Sequence, residues 1–204
     1  MPRLTRAQRK QITTAQLLET ARDVFLRRGY HRSSLDDIAD AAGFTTGVVY
    51  ARFQSKDELF FALYDRWIEQ RIAQVMQDAA QPATLEDWLR TDARRIMALS
   101  EEHADWYILL LEFWTYAARD PKLREQFAAH HNRLVGALAA AMEAAASTLG
   151  VRLAQPASQI ARAGVAMALG VILERMLDPA AVPQTDLESM LVLLANHVAR
   201  PQKV

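Results

Sequence analysis

Residues 34–58, SLDDIADAAGFTTGVVYARFQSKDE, hold two short helix signals around a glycine turn, followed by the start of a third helix. Ser34 and Asp37 stand at capping-box spacing, which predicts a helix from Leu35 through Ile38 to Ala42. Gly43 comes just past its end, where glycine takes the left-handed conformation without a Cβ penalty and turns the chain. Thr45 or Thr46 then caps a second helix, expected over 46–52. Leu35, Ile38, Ala39, Ala42, Phe44, Val49 and Phe53 supply the apolar positions that pack the two helices together in a helix-turn-helix.

The small core has no use for Thr46, Gly47, Tyr50 and Ala51, with Val48 and Arg52 on their flanks. An α-helix fits the major groove of B-DNA and meets base edges with its N-terminal residues, so Thr46, Gly47, Val48 and Ala51 are the candidates for reading sequence. Tyr50 and Lys56 carry donors suited to phosphates, and Thr45 adds a hydroxyl near the helix start. Ser34 and Arg52 complete the candidate DNA-binding set. Ser55 repeats the capping box with Glu58 and launches a long amphipathic helix through Leu59, Phe60, Leu63, Trp67, Ile68, Ile72 and Val75.

The segments LLETARDVFLRRGY (17–30), SSLDDIADAAG (33–43), TTGVVYARF (45–53) and QSKDELF (54–60) together resemble the N-terminal domain of the TetR family of transcriptional regulators. The resemblance implies a homodimeric repressor with a larger C-terminal domain that binds a small ligand. It also carries Thr45, Gly47, Tyr50 and Lys56 over as DNA-contacting positions. Thr46, Val48 and Ala51 depart from the commonest pattern, where a lysine, a hydroxyl residue and a histidine or other large residue are frequent.

Charge runs the same way. Residues 1–56 hold ten Lys or Arg against five acids, a net of +5, and because the whole chain nets zero the remainder carries −5. A basic head on an acidic body suits phosphate binding at one end. The first ten residues, MPRLTRAQRK, have four bases, no acid and no apolar period. They are expected to form a flexible basic arm, either a solubilising terminus or one whose Arg3 and Arg6 reach phosphates or a minor groove, and they lack the apolar stretch of a signal peptide.

The body of the chain reads as helices between breakers. Apolar residues make up 51%, alanine is abundant, and seven glycines and seven prolines are few, so the expected fold is all-α with about nine helices. The fourth should end near Ala80 and the fifth open at Thr84 and Asp87. The sixth is expected over about 103–119, the seventh from Pro121 to Leu149, the eighth over 156–177 and the ninth from Asp186, capped by Thr185. The expected division is an arm at 1–10, a DNA-binding domain at 11–71 and a ligand-binding and dimerisation domain at 72–204.

The sixth helix, WYILLLEFWTYAA (106–118), is apolar on nearly every side and is expected to be buried all round. Trp106, Leu110, Phe113, Trp114 and Ala117 would wall a ligand cavity with Trp88 and Met97 from the fifth helix and Leu134 or Leu138 from the seventh. Glu112 within this run needs a partner: Arg95 or Arg133 is expected to reach it, or it faces a cationic ligand. In the eighth helix Ala161, Gly164, Ala168 and Val171 or Ile172 form a small-residue stripe, and Leu187, Met190, Leu191, Leu194 and Val198 an apolar face on the ninth. Together they are expected to form an isologous four-helix homodimer interface, the alternative being that both faces pack inside the monomer.

Several classes are excluded by what is missing from the sequence. Zero cysteines exclude disulfides and thiolate metal sites, and adjacent His130 and His131 point about 100° apart on a helix, so no metal or other cofactor is expected. No phosphate loop or nucleophile–base motif suggests an enzyme, so catalytic residues are expected to be absent. The longest apolar run, 163–173, falls short of the roughly 20 residues that span a bilayer, and a cytoplasmic regulator of double-stranded DNA is expected. A constitutive architectural DNA binder without ligand response is the alternative, and an enzyme on an all-helical scaffold a more distant one.

Overall fold

A computed structural model describes residues 5–80 and 82–201, and of Arg6 and residues 195–201 the backbone only. Among the described residues there are nine α-helices and one two-stranded ribbon: α1 (Arg6–Arg28), α2 (Leu35–Ala42), α3 (Thr46–Tyr50), α4 (Lys56–Ala79), α5 (Leu85–Glu102), α6 (Ala104–Ala117), α7 (Pro121–Thr148), β1 (Val151–Leu153), α8 (Ala157–Leu177), α9 (Thr185–Val198) and β2 (Ala199–Pro201). The all-helical expectation is met, and the caps explain the boundaries. Ser34 accepts from the Asp37 N–H while the Asp37 side chain accepts from the Ser34 N–H, so α2 opens where its capping box sits. Gly43 closes it at φ 70°, a left-handed value open to glycine.

Three local features differ from the sequence reading. First, α1 starts at Arg6 with its own capping box, Thr5 with Gln8, so 6–10 are helical rather than an arm; Arg3 lies outside the described residues. Second, α3 is a single turn and a half, and Ala51 and Arg52 follow it in a turn. Third, Glu58 returns its carboxylate to the Gln54 N–H at 2.7 Å, one residue upstream of the cap, while its own N–H is held by Ser55 Oγ.

The chain forms two compact units that do not follow its linear order. Residues 1–67 and 105–130 make the first, and residues 68–104 and 131–204 the second. In the first, α2 packs on α1 and α3 on α2. Leu17, Phe25, Ile38, Val49, Leu59 and Phe60 are fully buried there. Phe60 and Phe113 stack with ring centroids 3.8 Å apart, and Phe25, Tyr30, Tyr64 and Trp106 surround Phe60. The sixth helix is not buried all round: Ile108 and Leu111, one turn apart, are each more than 40% exposed, because only the face with Trp106, Leu109, Leu110 and Phe113 meets this core.

In the second unit α9 packs on α5 and α8. The small-residue stripe of α8 is used within the chain, Gly164 facing α9 and Ala161 packing with Val135 and Ala139 of α7. Ala161, Ala168, Val171 and Ile172 are buried, as are Leu187 and Leu191, and a Cβ at Gly164 would lie 3.7 Å from Leu191. Met190 and Leu177 remain outside, the latter 84% exposed, and the Val198 side chain is not among those described. Polar links tie the same elements: Glu188 on α9 accepts from both Arg90 and Arg94 on α5. The ribbon pairs Val151 with Pro201 and Leu153 with Ala199 in antiparallel register, and Leu153 packs on a cluster of Val135, Ala139, Ala157 and Ala161.

Candidate nucleic-acid interface

The helix-turn-helix presents the residues that its core does not use. Val49 and Phe53 are buried, whereas Thr45, Thr46, Gly47, Tyr50 and Ala51 are exposed and Val48 half-buried. Thr45 is the N-cap residue of α3 but its hydroxyl makes no capping hydrogen bond. A hydroxyl not engaged in capping can turn outward to an acceptor. Ser34 differs, since its hydroxyl bonds the Asp37 carboxylate at 2.6 Å as well as capping α2. That bond, with Arg28 2.5 Å from the same carboxylate, holds Asp37 below the usual carboxylate range. Arg52 folds back and donates to the Val48 carbonyl at 3.1 Å.

Lys56 is built into the head. Its ammonium donates to the carbonyls of Tyr30 at 2.8 Å and Ser33 at 2.9 Å and sits 4.3 Å from the centre of the Tyr30 ring. Burial lowers its pKa below that of an ordinary lysine. The α1–α2 loop is therefore held by the first residue of α4. Tyr30 itself donates its phenol to Asp57, and burial, reinforced by that bond, keeps the phenol protonated far beyond its ordinary range.

Glu112 meets the same loop. Its carboxylate accepts the Tyr30 backbone N–H at 2.8 Å and lies 3.1 Å from where a Cβ on Gly29 would be. Of the two arginines expected to reach it, Arg95 pairs with Asp78 and Arg133 lies 3.8 Å from Glu69. The acid was conspicuous in an apolar run, but a backbone N–H as its partner leaves no trace in side-chain pattern.

The residues expected around a ligand fall in both units. In the first, Trp106, Leu110, Phe113 and Ala117 are buried in the aromatic core, and Trp114 packs edge-on against Phe127 at 5.2 Å. In the second, Trp88 and Met97 are buried, and Leu138 packs on the α7–α8 cluster. The second unit also holds a pair that sequence reasoning passed over, Arg71 bonded to Asp92, both side chains only 8% exposed. Among the described residues no group of His, Asp or Glu is arranged to hold a metal ion, and no helix is long and apolar enough to cross a membrane. His130 bonds Asp65 at 2.5 Å and stacks on Phe61, apart from any such group.

This architecture is that of a helical DNA-binding regulator. Residues 17–63 match the family model described as bacterial regulatory proteins, tetR family, and residues 82–201 the model described as BetI-type transcriptional repressor, C-terminal. The second match alone covers more than half of the chain, which belongs to the TetR family of transcriptional regulators, with a C-terminal domain of the BetI type. Proteins of this family are DNA-binding regulators, not enzymes.

The HTH-type transcriptional activator FasR of Mycolicibacterium smegmatis is 34% identical over 110 residues, 54% of this chain and 48% of FasR. The chain thus spans about half the length of that relative. Among solved structures, Salmonella enterica GusR superposes with a TM-score of 0.76 at 22% identity, covering 96% of this chain and 100% of that one. FadR from Bacillus subtilis, in complex with stearoyl-CoA, gives 0.71 at 17% identity, covering 88% and 96%. At these identities the likeness is one of fold.

Proposed function

We propose that the protein is a cytoplasmic homodimeric repressor that leaves a palindromic operator when a small hydrophobic ligand binds its helical body. The observation that carries the DNA half is the exposure of Thr45, Thr46, Gly47, Tyr50 and Ala51 on and beside α3 while Val49 and Phe53 are buried. Thr46, Gly47, Val48 and Ala51 meet base edges, and Thr45, Tyr50, Lys56 and the flanking Ser34 and Arg52 hold phosphates. Lys56 has three N–H donors, and two carbonyls account for two, which leaves one for a phosphate oxygen.

DNA binding is assigned to the head within residues 11–71, and ligand binding and dimerisation to residues 72–204 with the adjoining turn of α4 from Ile68, which belongs to the second unit. Residues of the candidate ligand set, Trp88 and Met97 above all, take up the ligand, a reading supported by the stearoyl-CoA held by the Bacillus subtilis FadR structure. The signal runs along α4, one helix from Lys56 to Ala79, and through α6, whose Glu112 holds the Tyr30 N–H. A ligand shifts the DNA-bound population only by its differential affinity for the two states.

The dimer is assigned to the outer faces of α8 and α9, where Leu177 and Met190 are exposed. One head reads too few base pairs for stable binding, and two heads about 34 Å apart meet successive major grooves. The test is selection of binding sites from random duplexes with the purified protein, followed by a reporter behind the selected site. A palindromic consensus and reporter activity that rises when the protein is removed are expected. Recovery of duplexes without a consensus would reduce the protein to an architectural binder, and a fall in reporter activity would make it an activator, as FasR is named.

A further inference from the structure

We propose that the second unit holds the ligand by an oxygen acceptor, a carbonyl or a carboxylate, received by Arg71 Nη1 on α4 and Trp88 Nε1 on α5. This inference rests on the reading that the helical body binds a small molecule, and it assigns the polar end of that molecule.

The buried side-chain polar atoms left without a partner among the described residues are all nitrogens that donate, and two of them belong to this unit: Arg71 Nη1 and Trp88 Nε1. Arg71 is 8% exposed and Trp88 4%. Arg71 has five N–H donors in a fixed fork, and its bond to Asp92 uses Nη2. Trp88 lies one turn before Asp92, so both occupy the same face of α5. The Arg71–Asp92 bond thus brings the α4 guanidinium to the face that carries the indole. Buried donors are rarely left unmade in native proteins, and a pair of them on facing elements specifies what must meet them: an acceptor with lone pairs.

The charge around the pair selects further. Arg71 with Asp92 and Arg95 with Asp78 are two balanced ion pairs, so the cluster carries no net charge. A neutral carbonyl oxygen can therefore enter without creating an unpaired charge, and a carboxylate gains from the guanidinium. A cation gains nothing from two N–H donors. This reverses the expectation of a cationic ligand at Glu112, whose carboxylate is already bonded to the Tyr30 N–H.

The test uses the full chain and three probes with the same eight-carbon body: octanoate, octan-2-one and octyltrimethylammonium. Calorimetric titration should show at least one oxygen probe binding roughly tenfold or more tightly than the cation, as a hydrogen bond to a charged donor implies. Trp88→Phe keeps an aromatic ring but removes the N–H with the rest of the indole's five-membered ring, and Arg71→Lys keeps the charge for Asp92 and removes Nη1. Each should weaken the oxygen probe roughly tenfold and leave the cation unchanged. Because the smaller ring leaves space in the core, the thermal midpoint of Trp88→Phe should fall, and the variant is read by the difference between the oxygen probes and the cation rather than by its stability. The proposal is overturned if no probe binds, if the cation binds as tightly as the oxygen probes, or if both variants leave the oxygen probes unaffected. DNA release is read separately. An oxygen probe that binds with the expected pattern but leaves the DNA complex intact sinks the release mechanism and keeps this site, whereas a compound that releases DNA with no sensitivity to either variant does the reverse.

Discussion

Gly29 shows how much of the head depends on single atoms. Its backbone at φ 77°, ψ 164° lies in a region that belongs essentially to glycine, and a Cβ there would come within 3.1 Å of both Glu112 carboxylate oxygens. Gly29→Ala is expected to cost about 1–3 kcal/mol from the backbone alone, read as a lower denaturation midpoint; an unchanged midpoint would show that the loop relaxes freely. Lys56 has two roles to separate. Lys56→Ala should weaken binding to all duplexes alike and reduce the dependence of log affinity on log salt by about one. The same change removes the ties to the Tyr30 and Ser33 carbonyls. Lys56→Arg, which keeps a cation, should restore most of the salt slope, and equal slopes for all three proteins would remove Lys56 from the phosphate contacts. By contrast, substitutions of Thr46 or Ala51 should change preference among sequences, because those side chains have no place in the core.

Secondary elements written by local chemistry were the most legible in the sequence. The bounds of α2 follow from Ser34, Asp37 and Gly43, and the start of α5 from Thr84. What escaped was decided by distant partners. The ribbon pairs VRL with ARP, three-residue strands without an alternating pattern, one of them ending in proline. A stripe of small residues says that something approaches closely, but not whether it is a second subunit or, as at Gly164 and Ala161, other helices of the same chain. The outward residues of α3 were readable because the apolar positions of a short helix leave few alternatives; the Glu112 bond was not. At this scale the pH response also takes shape. Burial, aided by the charge of Arg162, lowers the His131 pKa in α7 below 6.5. The unfolded chain therefore takes up a proton near pH 6.5 that the folded chain refuses. Its contribution to stability is complete above that pH and is lost on acidification below it. Glu188 and Glu101, held low by hydrogen bonds from Arg94 and Arg90 and from Gln184 and Arg175, add their loss only below the ordinary glutamate value. Denaturation midpoints should begin to fall as the pH drops below about 6.5, and His131→Gln should remove that first step while sparing the more acidic one.

Across the whole molecule, charge and the proposed assembly bear on DNA affinity together. The net +5 of residues 1–56 attracts the duplex, and two such heads in the proposed dimer multiply the effect because the second binds intramolecularly. Leu177→Glu together with Met190→Glu places charge where the subunits are proposed to meet. It should yield a monomer by sedimentation with helix content unchanged and operator affinity sharply reduced; a double variant that remains dimeric would move the interface elsewhere. The bond from Glu112 to Tyr30 spans 82 positions of sequence, and the Phe113 ring stacked on Phe60 spans 53. The DNA-reading head is thus completed by a helix made much later, and it cannot finish folding on the ribosome until α6 has emerged. A fragment ending at Trp67 should accordingly stay largely unfolded, whereas the same fragment mixed with a peptide of residues 104–130 should regain helix, so that its autonomy as a module is borrowed rather than intrinsic.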